Sequence, residues 1–486
     1  MDSAQSSGVI DADALGKKPR KSQNYLEKYL GGPKRVMALD IARGMAILGM
    51  FTAHLLNMPP MGFPANLINL VHGRSSILFA ILAGISVGII SGMDRPKVGV
   101  ELVQARIRIM VRAVLLLGWV ALLSLVNMGI ALILGFYGVW FILALPFLSW
   151  SVRRLLIASG VIALCGPVLR LIFSTVLSSP QGMGSEDGAW LSYFTLGHYP
   201  ALIWMAFILL GLALARAGIT RRDVQRRMLV AGLVMMLGGY GISTGILSAL
   251  DGRLTIDFIS GFTGVSKMYE KGGVKGSKNI DEGGTSGDVA DPVSPVTSPP
   301  TSGATPSKDP YMQPTVFPQY AGDLAGKPVP ENCYCTPAKI VEQMKSEGMP
   351  EAQPTSPGLW ERITSAVPYM GRALASASPH SGTTFEVVGS AGFSLVVIAL
   401  LLMAPTWIGL VLSPIAAVGS MSLTIYSAHV PYVSAMIPMQ LPATISITAL
   451  VAVAITFAVL WRTFIGRGPL EWVMNRVSHK AAAIRD

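Results

Sequence analysis

The chain has 486 residues, of which 51% are hydrophobic and only 13% charged, with a formal net charge of +11 and a mean hydropathy of +0.52. A soluble domain carries roughly 25% charged residues, so this balance excludes an ordinary soluble enzyme and predicts a polytopic helical membrane protein. The positive excess requires no nucleic-acid partner, because Lys and Arg gather at alternate ends of the apolar runs.

The tail, residues 1–35, is basic (Lys17, Lys18, Arg20, Lys21, Lys28, Lys34, Arg35) and has no short apolar core or cleavage site, so it is expected to stay in the cytoplasm uncleaved. The first span, 36–56, would rise about 31 Å, enough for a hydrocarbon core of roughly 30 Å. It contains Asp40 and Arg43, which share a helix face at spacing three and can neutralise each other. His54 lies about 21 Å further along the axis, where a neutral imidazole can reach water and substrate as a general base. An uncharged loop with three prolines follows, and the second span runs from His72-Gly73-Arg74-Ser75-Ser76 to about Gly92.

Arg95, Lys97, Arg106, Arg108 and Arg112 mark the next turn as cytoplasmic. Spans three to seven are predicted at about 110–126, 131–149, 154–174, 199–215 and 228–249, with Pro167 kinking the fifth. Basic turns at Arg153-Arg154 and Arg216 to Arg227 keep the inside pattern, and the loop with Glu186 and Asp187 belongs outside.

Composition changes over 251–384 to Gly, Pro, Ser and Thr, with ten prolines between 291 and 330. Such a stretch cannot bury enough apolar surface to offset its ordering entropy. It reads as an external low-complexity insertion, with an interfacial helix near 359–374. Its Cys333-Tyr334-Cys335 pair fits a local or intermolecular disulfide better than a metal site. Spans eight to ten follow at about 387–404, 408–428 and 443–463, and a basic tail, 466–486, returns to the cytoplasm. The expected fold is thus an all-α bundle of about ten transmembrane helices, spans one to seven within 36–250 and eight to ten within 385–465, with both termini cytoplasmic.

Five of the six histidines, His54, His72, His198, His380 and His429, fall toward the outer side of this topology. His72 and Arg74 flank a glycine at a helix start, where free N–H groups and a cation can hold an anion or oxyanion. His380 precedes span eight beside Ser, Thr and Glu, which also read as a helix cap. Tyr426 and His429 share one face, and with Tyr137 they equally suit polar packing between helices; His198 reads as an interfacial side chain. No P-loop, dinucleotide fingerprint, His-Glu-x-x-His or Gly-x-Ser-x-Gly is present.

The pattern Arg35-x-x-x-Leu39-Asp40-x-x-Arg43-Gly44-x-Ala46, with His54 fourteen residues after the aspartate, resembles the first helix of transmembrane acyltransferases. Both the acyltransferase-3 type and the group containing heparan-alpha-glucosaminide N-acetyltransferase share it. The transmembrane portion is more specifically similar to the bacterial YeiB-like family. The matching runs are His72 to Ser76 with Leu82-Ala83-Gly84, Tyr137-Gly138, Tyr199-Pro200, Pro379 to Thr384, Ala417 to Tyr426, and Gly468 to Trp472. The resemblance implies a plasma-membrane enzyme that moves an acyl group from cytoplasmic acetyl-CoA or another acyl-CoA, without a metal. The acceptor would be a hydroxyl or amine of an envelope glycolipid or glycan, for example a trehalose mycolate. It further implies His54 as the catalytic histidine and Arg74 as part of the donor or oxyanion site; the residues themselves add His72 beside Arg74, and Asp40, Arg43, Ser75, Tyr137, His380, Tyr426 and His429 as substrate-binding candidates. Membrane lipids would be its surroundings. Two other classes fit the residues without the resemblance: a lipid or small-solute transporter lined by the intramembrane charges, and an envelope scaffold acting through the insertion.

Overall fold

A computed structural model describes residues 36–55, 73–126, 130, 132–177, 192–250, 371, 374–439 and 442–483. All of them belong to one compact unit, and they are helical without strands. The N-terminal tail, His72, and the greater part of the 251–384 insertion with Cys333 and Cys335 lie outside the described residues. The helices are α1 Met37–Leu55, α2 Arg74–Ile90, α3 Gly99–Ser124, α4 Ile133–Ala144, α5 Val152–Leu177, α6 Ala201–Arg216 and α7 Arg222–Leu250. Then come α8 Thr384–Met403, α9 Thr406–Val411, α10 Ser413–Ser420, α11 Ser422–Met439, α12 Ala443–Phe464 and α13 Pro469–Ala481.

Five helices are long and apolar enough to cross a bilayer: α3, α5, α7, α8 and α12; α2, α4 with its 3-10 extension to Ser149, and α6 are shorter apolar helices. The reason is local, since runs of Leu, Ile, Val and Ala satisfy every backbone group within the helix and present only hydrocarbon outward. The first span differs. Its 19 residues pack against α2, α8, α10, α11 and α12, and Asp40 is only 2% exposed. The bundle, not lipid, therefore surrounds its charges.

Two helix crossings depend on missing side chains. A methyl on Gly419 of α10 would stand 1.9 Å from the Asp40 carbonyl oxygen, and one on Gly44 would stand 2.1 Å from the Ile415 carbonyl oxygen. Likewise Gly84 of α2 and Gly211 of α6 face carbonyls of the opposite helix at 2.2 and 2.1 Å. Backbones approach this closely only through small residues, and dispersion contacts then replace the hydrophobic force that lipid cannot supply.

Ends of the helices are tied by charge. The guanidinium of Arg216, at the end of α6, donates to the carbonyls of Met93, Ser91 (3.3 Å) and Leu148 (2.6 Å) and to the Ser91 hydroxyl (2.8 Å). A cation thus satisfies carbonyls just past the C-terminal ends of α2 and α4 beside its own.

The ninth span, expected at 408–428, is instead broken into α9, α10 and α11 at Leu412 and Met421, and the last piece continues to Met439. The close approach of Gly419 to α1 fixes the end of α10, and the freed groups find partners from distant sequence. Leu423 N–H (2.6 Å) and Thr424 N–H (3.1 Å) both donate to the Glu471 carboxylate of α13, and the Thr424 hydroxyl does so at 2.6 Å. Arg462 of α12 donates to the Ala416 carbonyl at 3.0 Å. Each half-helix end therefore faces the charge its dipole favours. Glu471→Ala should lower stability by about 1.5–3 kcal/mol, the usual worth of hydrogen bonds to a charged group. The measurement is the thermal midpoint of the detergent-solubilised full chain; an unchanged midpoint would contradict this account of the break.

Candidate active site

His54 sits half-buried in the last turn of α1. It lines a cavity of about 190 Å³ together with Ser75, Ser76, His198, Tyr199 and His380. The wall also includes Gly73 and Ile130, so the residues come from the C-terminal end of α1, from the start of α2, and from the segments that lead into α4, α6 and α8. The N-terminus of α2 opens on this small space, and its dipole favours negative charge there.

The His380 loop and the start of α2 meet directly. Gly73, at φ +73°, lies so close to Pro379 that a methyl would stand 2.7 Å from its Cβ and 3.6 Å from His380 Nε2. His380 itself adopts φ +65°. Glu386 holds this shape: its buried carboxylate accepts from the N–H groups of His380 and Gly382, each at 2.5 Å, and from the Ser381 hydroxyl at 3.1 Å. The Thr383 hydroxyl in turn accepts from Glu386 N–H at 3.2 Å. The Thr383-x-x-Glu386 spacing shows a helix cap in the sequence; that Glu386 also grips the His380 backbone could be found only in three dimensions.

Behind His54 stands a packed aromatic layer. The rings of His54 and His429 are 5.4 Å apart, Phe51 stacks on His429 at 4.9 Å, and Tyr426 meets it edge-on at 4.6 Å. His429 is fully buried, and its Nδ1 is bonded to the Tyr426 carbonyl. A carbonyl only accepts, so Nδ1 carries the hydrogen and Nε2 of the neutral ring is a bare acceptor. That Nε2 has no hydrogen-bond partner among the described residues. Tyr426 accepts from Ile133 N–H at 3.2 Å, at the start of α4. Tyr137 is buried against Phe79 (5.4 Å) and Trp140 (4.8 Å), and its hydroxyl is unpartnered among the described residues.

Arg74 is 2% exposed and does not reach the cavity wall. Its Nε donates to the Tyr240 hydroxyl at 2.8 Å, its guanidinium lies 4.8 Å over the Tyr240 ring, and Tyr240 pairs with Ser390 at 2.7 Å. It thereby ties the first turn of α2 to α7 and α8. Asp40 and Arg43 pair at 3.1 Å, and Arg43 also donates to Ser86 at 2.8 Å. They stand about 16–21 Å down α1 from His54 and take no part in the cavity. The structure thus gathers His54, Ser75 and His380, sets His429 directly behind His54, and leaves the ion pair apart. His198, which its sequence context marks only as interfacial, shares the wall.

Among the described residues no group of three or more His, Cys, Asp or Glu is placed to hold a metal ion. What the site does hold is an imidazole at a cleft lined by Ser75, Ser76 and Tyr199 beside the start of α2. Such a set can accept a proton from a hydroxyl and stabilise an oxygen that becomes negative.

Residues 35–240 match the family model for heparan-alpha-glucosaminide N-acetyltransferase, catalytic, and residues 362–481 match a model described as protein of unknown function (DUF418). No curated protein and no solved structure matches the chain.

Proposed function

Because the chain belongs to the transmembrane acyltransferase group that contains heparan-alpha-glucosaminide N-acetyltransferase and the YeiB-like proteins, we propose that it transfers an acetyl or related acyl group across a bacterial plasma membrane. Acyl-CoA enters from the cytoplasm and supplies the thioester. The acceptor is a hydroxyl of an envelope glycolipid or glycan on the outer side. In this reading the bundle crosses the membrane ten times with both termini in the cytoplasm.

The observation that carries the proposal is the meeting of His54 with the start of α2 and with His198, Tyr199 and His380 at one cavity. His54 takes the proton from the acceptor hydroxyl as that oxygen attacks the thioester carbonyl. The C–O bond forms, the carbonyl oxygen becomes negative, and N–H groups at the start of α2 stabilise it. When the C–S bond breaks, the imidazolium returns its proton to the departing thiolate, so no charge is left in the cavity. A volume of about 190 Å³ accepts the reacting ends of both substrates rather than the whole of either. Ser75 and His380 orient the acceptor; His429, through its fixed tautomer, and Arg74, through its grip on Tyr240, position the histidine and the α2 helix start. Asp40 and Arg43 hold α1 at the end where the donor enters.

The test supplies purified protein in lipid vesicles with radiolabelled acetyl-CoA and an extract of envelope glycolipids. Label should appear covalently in the extract. Transport of lipid or solute without any covalent label would sink the proposal in favour of a transporter.

A further inference from the structure

The Asp40 end of the bundle carries a cationic cluster that acyl transfer does not use. There α13 docks on α3: Arg112 Nε donates to the Ser478 hydroxyl at 3.4 Å, and Arg112 Nη2 donates to Asn475 Oδ1 at 3.3 Å. Lys97, Arg108, Arg112 and Arg467 all lie within electrostatic reach of the exposed His479. Partial burial, and after it these four cations, hold the imidazole below its ordinary pKa. None of them joins either ion pair found among the described residues, Asp40 with Arg43 and Arg221 with Asp223. The Nε of Arg108 is buried without an acceptor among the described residues. Like charges gathered in this way repel. One bound anion would relieve that repulsion.

The outer face of α13 identifies the kind of anion. Trp472, Val473 and Val477 are 49%, 44% and 41% exposed, and the Arg476 guanidinium lies 5.1 Å over the Trp472 ring. With Lys480 these residues form one face at helical spacing. An exposed apolar and aromatic face carrying basic residues is the pattern of a helix lying in a membrane interface.

We propose that Lys97, Arg108, Arg112, Arg467 and His479 form a binding site for the phosphate headgroup of an anionic membrane lipid, with α13 as the interfacial helix beside it. The headgroup oxygens accept from the exposed N–H groups of these cations, and the acyl chains lie beside the apolar face of α13. The site is independent of the acyl-transfer reading and would stand if that reading failed.

Full-length protein in neutral detergent is mixed with equal amounts of phosphatidylglycerol and phosphatidylcholine, and retained lipids are counted by native mass spectrometry. Wild type should retain the anionic lipid in about tenfold excess, as several interfacial cations acting together imply. Arg108→Gln with Arg467→Gln should abolish that excess at an unchanged size-exclusion profile. Lys97→Gln, outside any helix, should reduce it and serves if the pair fails to fold. Arg153→Gln with Arg154→Gln, which removes the same charge from the exposed start of α5, should leave it intact. Equal retention of both lipids by wild type overturns the site, as does an excess that survives in the cluster variants or is lost in the control. Displacement of the lipid by inorganic phosphate or CoA at equal concentration would assign the cluster to a soluble phosphate instead, and would equally overturn the lipid site.

Discussion

Replacing His54 with alanine is expected to reduce acyl transfer by about 10²–10⁴-fold, the usual contribution of a positioned general base. The loss should appear in kcat far more than in the KM for acyl-CoA, because the imidazole acts on the acceptor proton and not on the donor's binding. Stability should change little: His54 is half-buried at a cavity rim, and its removal widens a space that is already open. The measurement is steady-state transfer at saturating donor, with the thermal midpoint as a control. Activity within a few-fold of wild type at a normal midpoint would remove His54 from the chemistry, and the His54-centred mechanism with it.

Asp40→Ala should act in the opposite way, on the fold. Asp40 is buried, pairs with Arg43 at 3.1 Å, and has the backbone of α10 packed against its own carbonyl. Removing the carboxylate takes from the guanidinium a counter-charge at 3.1 Å inside the bundle. Breaking a buried pair from one side costs about 3–5 kcal/mol, a large part of a typical folding free energy. Asp40→Ala combined with Arg43→Met should recover part of that loss, because the two charges are then removed together. Folded yield and thermal midpoint report the effect, while the turnover of whatever folds should stay near wild type. A normal midpoint with lost donor affinity would instead move the pair into the donor site.

Several features were legible because they are local. The apolar runs, the placement of Asp40 and Arg43 on one face, and the Thr383-x-x-Glu386 cap depend on neighbours within a turn or two. The break near Met421 was not, although Pro414 and Gly419 stand in the sequence. A proline near a helix start and a glycine inside an apolar run are both compatible with one continuous span. Here Asp40 of α1 and Glu471 of α13 decide otherwise, and both lie far along the chain. Arg74 illustrates the same limit. Its place after His72-Gly73 suggests a cation facing a ligand, and the sequence gives no sign that its Nε donates to Tyr240, 166 residues away.

By itself, the sequence determined that this is an all-helical protein with membrane-length apolar helices, that two opposite charges share the first helix, and that His54 lies toward the end of that helix. Hydrophobicity and the helical period are enough for that, because both act within a single segment. Only the tertiary structure decided which helix ends meet. It put His54, Ser75, His198 and His380 on one cavity, seated His429 behind His54, and left Asp40 and Arg43 outside. The physical reason is packing: helices cross where Gly44 meets α10 and Gly84 meets Gly211, and such contacts join residues that no sequence spacing relates.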